Sequence, residues 1–238
     1  MLTRRFFVAA APAALLAACV RPQEVTRAAP AAVPPPVPMP ARYGALTDEP
    51  HPVPAVPDGI VPPQFWRQEI DSPFPNLAVP EPNLPVGTVV VDADANFLYL
   101  IQPGGKALRY GVGTGAAAYA WSGEARMQWK QQWPRWKAPD SMIARRPEFA
   151  PYSVANGGMA PGPGNPLGAR ALYLFQNGED TLYRIHGACE PQYVGKAVSS
   201  GCIRLLDQDA IDLYDRVREG ARVIVLPSTK PAGLASIY

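Results

Sequence analysis

Cysteine and histidine are scarce in this chain: three of the first and two of the second among 238 residues. There is no C-x-x-C and no H-E-x-x-H pattern, so the sequence offers no ligand set for a metal, and nothing in it calls for a cofactor. Three cysteines are also too few for a disulfide framework. An excess of charge of one sign is missing as well: lysines and arginines number 22 against 20 acids, a net of +2, with the signs intermixed. Without a basic stripe or a nucleic-acid-binding motif, nucleic acid is excluded as a partner. Long hydrophobic runs are absent too. The apolar stretch over residues 6–18 falls short of the ~20 residues that a membrane-spanning helix needs.

That short run is still informative. Arg4 and Arg5 precede it and Cys19 ends it, the layout of an export signal over residues 1–19. Thr3-Arg4-Arg5-Phe6-Phe7-Val8 has the form of a twin-arginine signal, with general secretion as the alternative. Leu16-Ala17-Ala18-Cys19 has the form of a bacterial lipobox, which makes Cys19 the lipidated first residue of the mature protein. The expected location is the periplasm, with a lipid anchor in a membrane. Val20 stands where an acidic residue would favour the inner membrane, so the outer membrane is expected.

The 30 prolines cluster towards the N-terminus. Proline fixes φ and supplies no backbone donor, so residues 20–57 are expected to form an extended linker with a reach on the order of 100 Å. Over residues 58–85 apolar anchors join the prolines (Phe65, Trp66, Ile70, Phe74, Leu77), and an ordered extension is expected. Residues 86–227 have the size and patterning of one domain, followed by a short tail over 228–238.

Within that domain, residues 87–92, 96–101, 107–112, 171–175, 181–186 and 222–226 read as strands, with Asn177-Gly178 as a two-residue hairpin turn. Residues 207–219 carry Ala210, Ile211, Leu213, Tyr214 and Val217 at helical spacing, with Gly220 as a stop. The fold class is therefore mainly β with one clear helix. Residues 116–168 lack a clean period and hold Trp121, Trp129, Trp133 and Trp136. So many aromatics argue for a structured wall or lid that keeps water out, with Trp133 and Trp136 as its candidates.

The chemistry concentrates in Ile185-His186-Gly187 and Ser199-Ser200-Gly201-Cys202-Ile203-Arg204-Leu205. A thiol beside a histidine is the minimal equipment for acyl transfer through a covalent intermediate. Cys202 lies just before the expected helix, where thiolates are favoured. Gly187 and Gly201 let backbone approach a substrate, and an N–H of Gly201 or Cys202 suits an oxyanion. Arg204 can hold a carboxylate at two points. Cys189 and Cys202 are the two thiols left after lipidation, and in an oxidising compartment they could instead pair.

These segments resemble the catalytic signature of the L,D-transpeptidases with a YkuD-type domain. The resemblance extends to residues 86–115, to the segment around Asn165-Pro166-Leu167-Gly168-Ala169-Arg170, to Gly195 and to Asp212-Leu213-Tyr214. It implies a β-sandwich-like catalytic fold. Cys202 is then the nucleophile and His186 its acid–base partner, while Arg204, Gly187, Ser199, Ser200 and Gly201 shape the acyl site. The implied substrate is a peptidoglycan tetrapeptide stem, attacked at its third residue with loss of D-alanine. A second stem amine resolves the thioester into a 3→3 cross-link, and carbapenems acylate the same thiol. Water as acceptor would give a carboxypeptidase, and the amino terminus of an outer-membrane protein would give a wall-attachment enzyme. A reading from another class is a non-catalytic wall-binding lipoprotein with a Cys189–Cys202 disulfide. Many family members have histidine where this chain has Ser200, which leaves His186 as the base candidate beside Cys202.

Overall fold

A computed structural model describes residues 37–74, 84–115, 121–199 and 202–229. The export signal with Cys19, the first part of the expected linker, most of the tail, Ser200 and Gly201 lie outside the described residues.

The architecture is mostly β, as expected. The described strands are β1 (Gln68–Asp71), β2 (Val89–Asp92), β3 (Phe97–Ile101), β4 (Lys106–Gly111), β5 (Gly113–Gly115), β6 (Gly123–Gln132), β7 (Arg170–Gln176), β8 (Glu179–His186), β9 (Ala197–Ser199), β10 (Ile203–Arg204) and β11 (Arg222–Val225). They form one hydrogen-bonded sheet in the order β1-β4-β3-β2-β11-β6-β7-β8-β10-β5-β9. The α-helices among the described residues are α1 (Asp140–Arg145) and α2 (Asp207–Arg216).

Side chains alternate across a strand, and here both faces find cover. Val89, Val91, Leu98 and Leu100 enter the main core with Met127, Leu172, Leu174, Ile185, Ile203 and Leu213. Val90, Tyr99 and Ile101 enter a second core on the opposite face with Ala107 and Ile224. A strand buried on both faces reads as an unbroken apolar run, which is what Val89-Val90-Val91 is. The β7–β8 hairpin turns on Asn177 (φ 53°) and Gly178 (φ 83°). Two left-handed residues are what a type I′ turn requires.

Two expectations are corrected. The strand β6 lies inside the stretch expected to be irregular; Ala125 and Met127 are buried while Glu124, Arg126 and Gln128 are exposed, a plain two-residue period. Helix α2 stops at Arg216, three residues short of the expected end. Val217 still donates to the Leu213 carbonyl, and the Lys130 ammonium caps the Tyr214 and Val217 carbonyls at 2.5 and 2.8 Å. Those bonds satisfy carbonyls that a further turn would otherwise have used.

The larger correction concerns the linker. Residues 37–57 pack against the domain: Tyr43, Val53 and Val56 are buried, as is Val61 in the segment beyond. Proline-rich backbone leaves carbonyls without partners. The Gln208 amide of α2 supplies donors to the carbonyls of Tyr43, Gly44 and Pro54. Phe65 packs against two glycines; a Cβ at Gly195 would come within 2.3 Å of its ring and one at Gly111 within 2.4 Å of its carbonyl oxygen. Ionic contacts complete the strap. Arg67 reaches Asp209 at 3.6 Å and Asp212 at 3.0 Å, while Tyr43 donates to Asp209 and Tyr110 to Asp212. All four interactions converge on the helix that follows Cys202.

Candidate active site

The short strand β10 runs parallel to β8, with Ile203 opposite Ile185 and Arg204 opposite His186. Ile185 and Ile203 both point into the main core. By alternation, His186 and Arg204 occupy the other face of the sheet. Backbone bonds lock the pair: Leu205 N–H donates to the His186 carbonyl at 2.8 Å, and Cys189 N–H to the Leu205 carbonyl at 3.0 Å. Cys202 immediately precedes β10 and sits beside Arg184, whose backbone N–H donates to its sulfur. The ladder thus brings Cys202, His186 and Arg204 together from segments 16 residues or more apart in the chain.

His186 is buried, and its Nδ1 lies 2.9 Å from the Gly187 carbonyl oxygen. A carbonyl only accepts, so Nδ1 carries the proton and Nε2 is the basic nitrogen. Burial, helped by the positive charges of Arg204 and Arg184, pushes the imidazole down to about 3, against the pull of the Gly187 and Leu167 carbonyls. The ring is therefore neutral at ordinary pH. Burial also raises the Cys202 thiol, while the Arg184 N–H and the Arg184 and Arg204 charges draw it back. Arg204 is half-buried, and its guanidinium makes no hydrogen bond or ion pair among the described residues.

The remaining expected residues fall around this centre. Gly187 is pressed against Asp207: a Cβ there would lie 2.0 Å from the carboxylate oxygen. Ser199 ends β9, opposite Gly115 of β5. Cys189 is buried in a satellite core with Tyr43, Val56, Val194 and Leu206. Burial pushes its thiol up to about 12, and it leans on the Glu190 carbonyl. Neither Cys189 nor Cys202 is in a disulfide, which corrects the wall-binding alternative built on that bond.

The tryptophan wall is also corrected. Trp133 packs with Val53 and Ala169 and donates to Glu49, and Trp136 packs with Ala138 and Leu167. Trp121 instead stacks on Tyr183 at 5.0 Å, and Tyr183 is close enough to Cys202 to feel its charge. Sequence reasoning passed over Asp207, Arg184 and Tyr183. An acid in the first turn of a helix is the signal available for Asp207.

Cys202, His186, Arg204 and the residues just named, Asp207, Arg184 and Tyr183, fall within a segment, 87–225, that matches the model of the YkuD family, described as an L,D-transpeptidase catalytic domain. The chain belongs to this family. It is 36% identical over 112 residues to the probable L,D-transpeptidase ErfK/SrfK of Escherichia coli, covering 44% of this chain and 33% of that one. It is 42% identical over 62 residues to the probable L,D-transpeptidase YbiS of the same organism, covering 26% and 19%. A crystal structure from Brucella melitensis, named as a probable carnitine operon oxidoreductase, is 39% identical; the match covers 70% of this chain and 96% of that one, with a TM-score of 0.46. That name describes that protein and differs from those of the other relatives. The chain spans less than half the length of the curated L,D-transpeptidases it matches.

Proposed function

We propose that the chain is a cysteine-dependent L,D-transpeptidase acting on peptidoglycan tetrapeptide stems. The observation that carries this is the pairing of β8 with β10, which sets His186, with Nδ1 committed to a carbonyl, in the strand beside Cys202. The sulfur of Cys202 attacks the carbonyl of the third stem residue while its proton passes to Nε2 of His186. The C–N bond to D-alanine breaks, and the departing amine takes that proton. An amine of a second stem then attacks the thioester, gives its proton to Nε2, and the thiolate leaves to be reprotonated. The products are D-alanine and a 3→3 cross-link. Arg204 holds a stem carboxylate, and the signature Ser199-Ser200-Gly201 is assigned a part in acyl binding by its likeness to the family motif. Trp121 and Tyr183 shield the thioester from water, favouring the amine. If water is the acceptor the same dyad gives a carboxypeptidase, and a protein amine gives wall attachment.

Export and a lipid on Cys19 would deliver the enzyme to its polymer. Among the described residues no helix is long and apolar enough to cross a membrane.

Incubation with purified muropeptides, followed by intact mass, tests the proposal. An acyl adduct is expected on the wild type and none on Cys202→Ala, with the released products identifying the acceptor. Release of D-alanine by Cys202→Ala would overturn it.

A further inference from the structure

We propose that Asp207 is a positioning residue that sets the tautomer and plane of the His186 ring through a single intervening peptide group. The inference rests on the reading of Cys202 and His186 as the reacting pair, and it concerns how the imidazole is held.

Asp207 opens α2, five positions after Cys202. Its Oδ1 accepts two backbone bonds, from Ala188 N–H at 3.1 Å and from Ala169 N–H at 2.8 Å. The first of these donors belongs to the peptide unit between Gly187 and Ala188. The carbonyl of that same unit faces His186 Nδ1 at 2.9 Å. In a trans peptide the C=O and N–H point in opposite directions. The unit is therefore gripped at both ends, by the carboxylate on its N–H and by the imidazole on its C=O. Bonds in such a chain polarise one another, so the carboxylate strengthens the acceptor that His186 uses.

The second bond fixes a neighbouring stretch of backbone at Ala169. Ala169 follows Leu167 by two residues, and the Leu167 carbonyl also acts on the imidazole. One carboxylate oxygen thus ties down both the Gly187–Ala188 peptide and the backbone at Ala169. The local backbone shows what this arrangement costs. Ala188 is held at φ 57°, in the left-handed region that alanine avoids. Gly168 and Gly187 have no room for a side chain, because a Cβ on either would come within 2.4 Å of Oδ1. Close approach to Asp207 therefore demands glycine at both positions, whatever the substrate requires.

The test reads the ring directly. With two histidines in the chain, nitrogen-15 labelling of histidine gives few signals, and His51→Asn assigns them. The wild type is expected to show a neutral His186 with its proton on Nδ1 between pH 5 and 8. Asp207→Asn keeps an acceptor oxygen and is expected to keep that tautomer, with activity close to wild type. Asp207→Ala is expected to show a mixture of tautomers. It should also lose on the order of 100-fold in kcat, the scale of a general-base contribution, at little change in KM. Gly187→Ala, which pushes the carboxylate away while retaining it, is expected to behave like Asp207→Ala. This second variant decides the matter if Asp207→Ala does not fold. A wild-type tautomer in the folded variants that lose the contact would overturn the proposal. The spectra need no substrate, so they stand apart from any failure to find transpeptidation.

Discussion

Glu49 grips Arg170 with both carboxylate oxygens, at 2.7 and 2.9 Å, across 121 residues of chain. Arg170 is 5% exposed, and the Trp133 indole donates to the same carboxylate. Removing one partner of a buried pair leaves the other without its counter-charge. Glu49→Ala is expected to lower stability by about 3 kcal/mol in urea unfolding. The Arg170 bonds hold the Glu49 carboxyl below its ordinary value of 4.5. A carboxylate whose pKa is lowered in the fold stabilises it above the unfolded pKa. That contribution should fade as the pH falls through the folded value and should be missing from Glu49→Ala.

Asp209 titrates in the opposite sense. Burial pushes its carboxyl up to about 7, against Arg67 and the Tyr43 hydroxyl, with Asp212 adding to the rise and Arg42 opposing it. The folded protein thus holds a proton that the unfolded chain releases near pH 4. Stability from this group is full below that pH and declines as the pH rises towards 7, by up to about 1.4 kcal/mol per unit. Asp209→Asn mimics the protonated form and should flatten this decline. Parallel unfolding midpoints for the two proteins between pH 4 and 8 would show that the strap does not depend on this proton.

The two described cysteines should differ sharply towards iodoacetamide. Cys189 is buried and titrates near 12, so it should remain unmodified until the protein unfolds. Cys202 should react in the native state, at a rate that climbs with pH as its raised thiol ionises. No step is expected between pH 5 and 7, because His186 is already neutral there. Peptide mapping locates the label, and an inflection near pH 6.5 would contradict the buried, neutral imidazole.

Trp121 and Trp133 offer a paired test of water exclusion. Trp121→Ala strips the ring that covers Tyr183 and should raise hydrolysis relative to amine transfer. Trp133→Ala opens a cavity against Val53 and Ala169 and should cost about 3 kcal/mol of stability. The product ratio of that variant should stay at the wild-type value. Chromatography of products from a stem with and without added amine reads both outcomes.

Much of the fold is written in local pattern. Val89-Val90-Val91, the Asn177-Gly178 turn and the apolar face of α2 each announce their element. Strand β6 carries an equally clear alternation, but the prolines and tryptophans around it mask the signal in a window of average length. The strap over residues 37–57 was hidden for a different reason. Its prolines dominate the composition, whereas its burial depends on partners far away, such as Asp209, 166 residues from Tyr43. At the site, Cys202 and His186 stand out because their side chains and glycine neighbours form a motif. Asp207 does not, because it works on backbone N–H groups, which every residue but proline supplies.

The strand carrying Cys202 towards His186 is two residues long, yet it is paired on both sides, with β8 and with β5. The distance between the reacting groups is therefore a property of main-chain register and is indifferent to what the side chain at position 202 can do. A hydroxyl or a methyl placed there inherits the thiol's address. If the proposed function holds, variants that have lost the chemistry are faithful baits, expected to hold an intact stem that the wild type would cut.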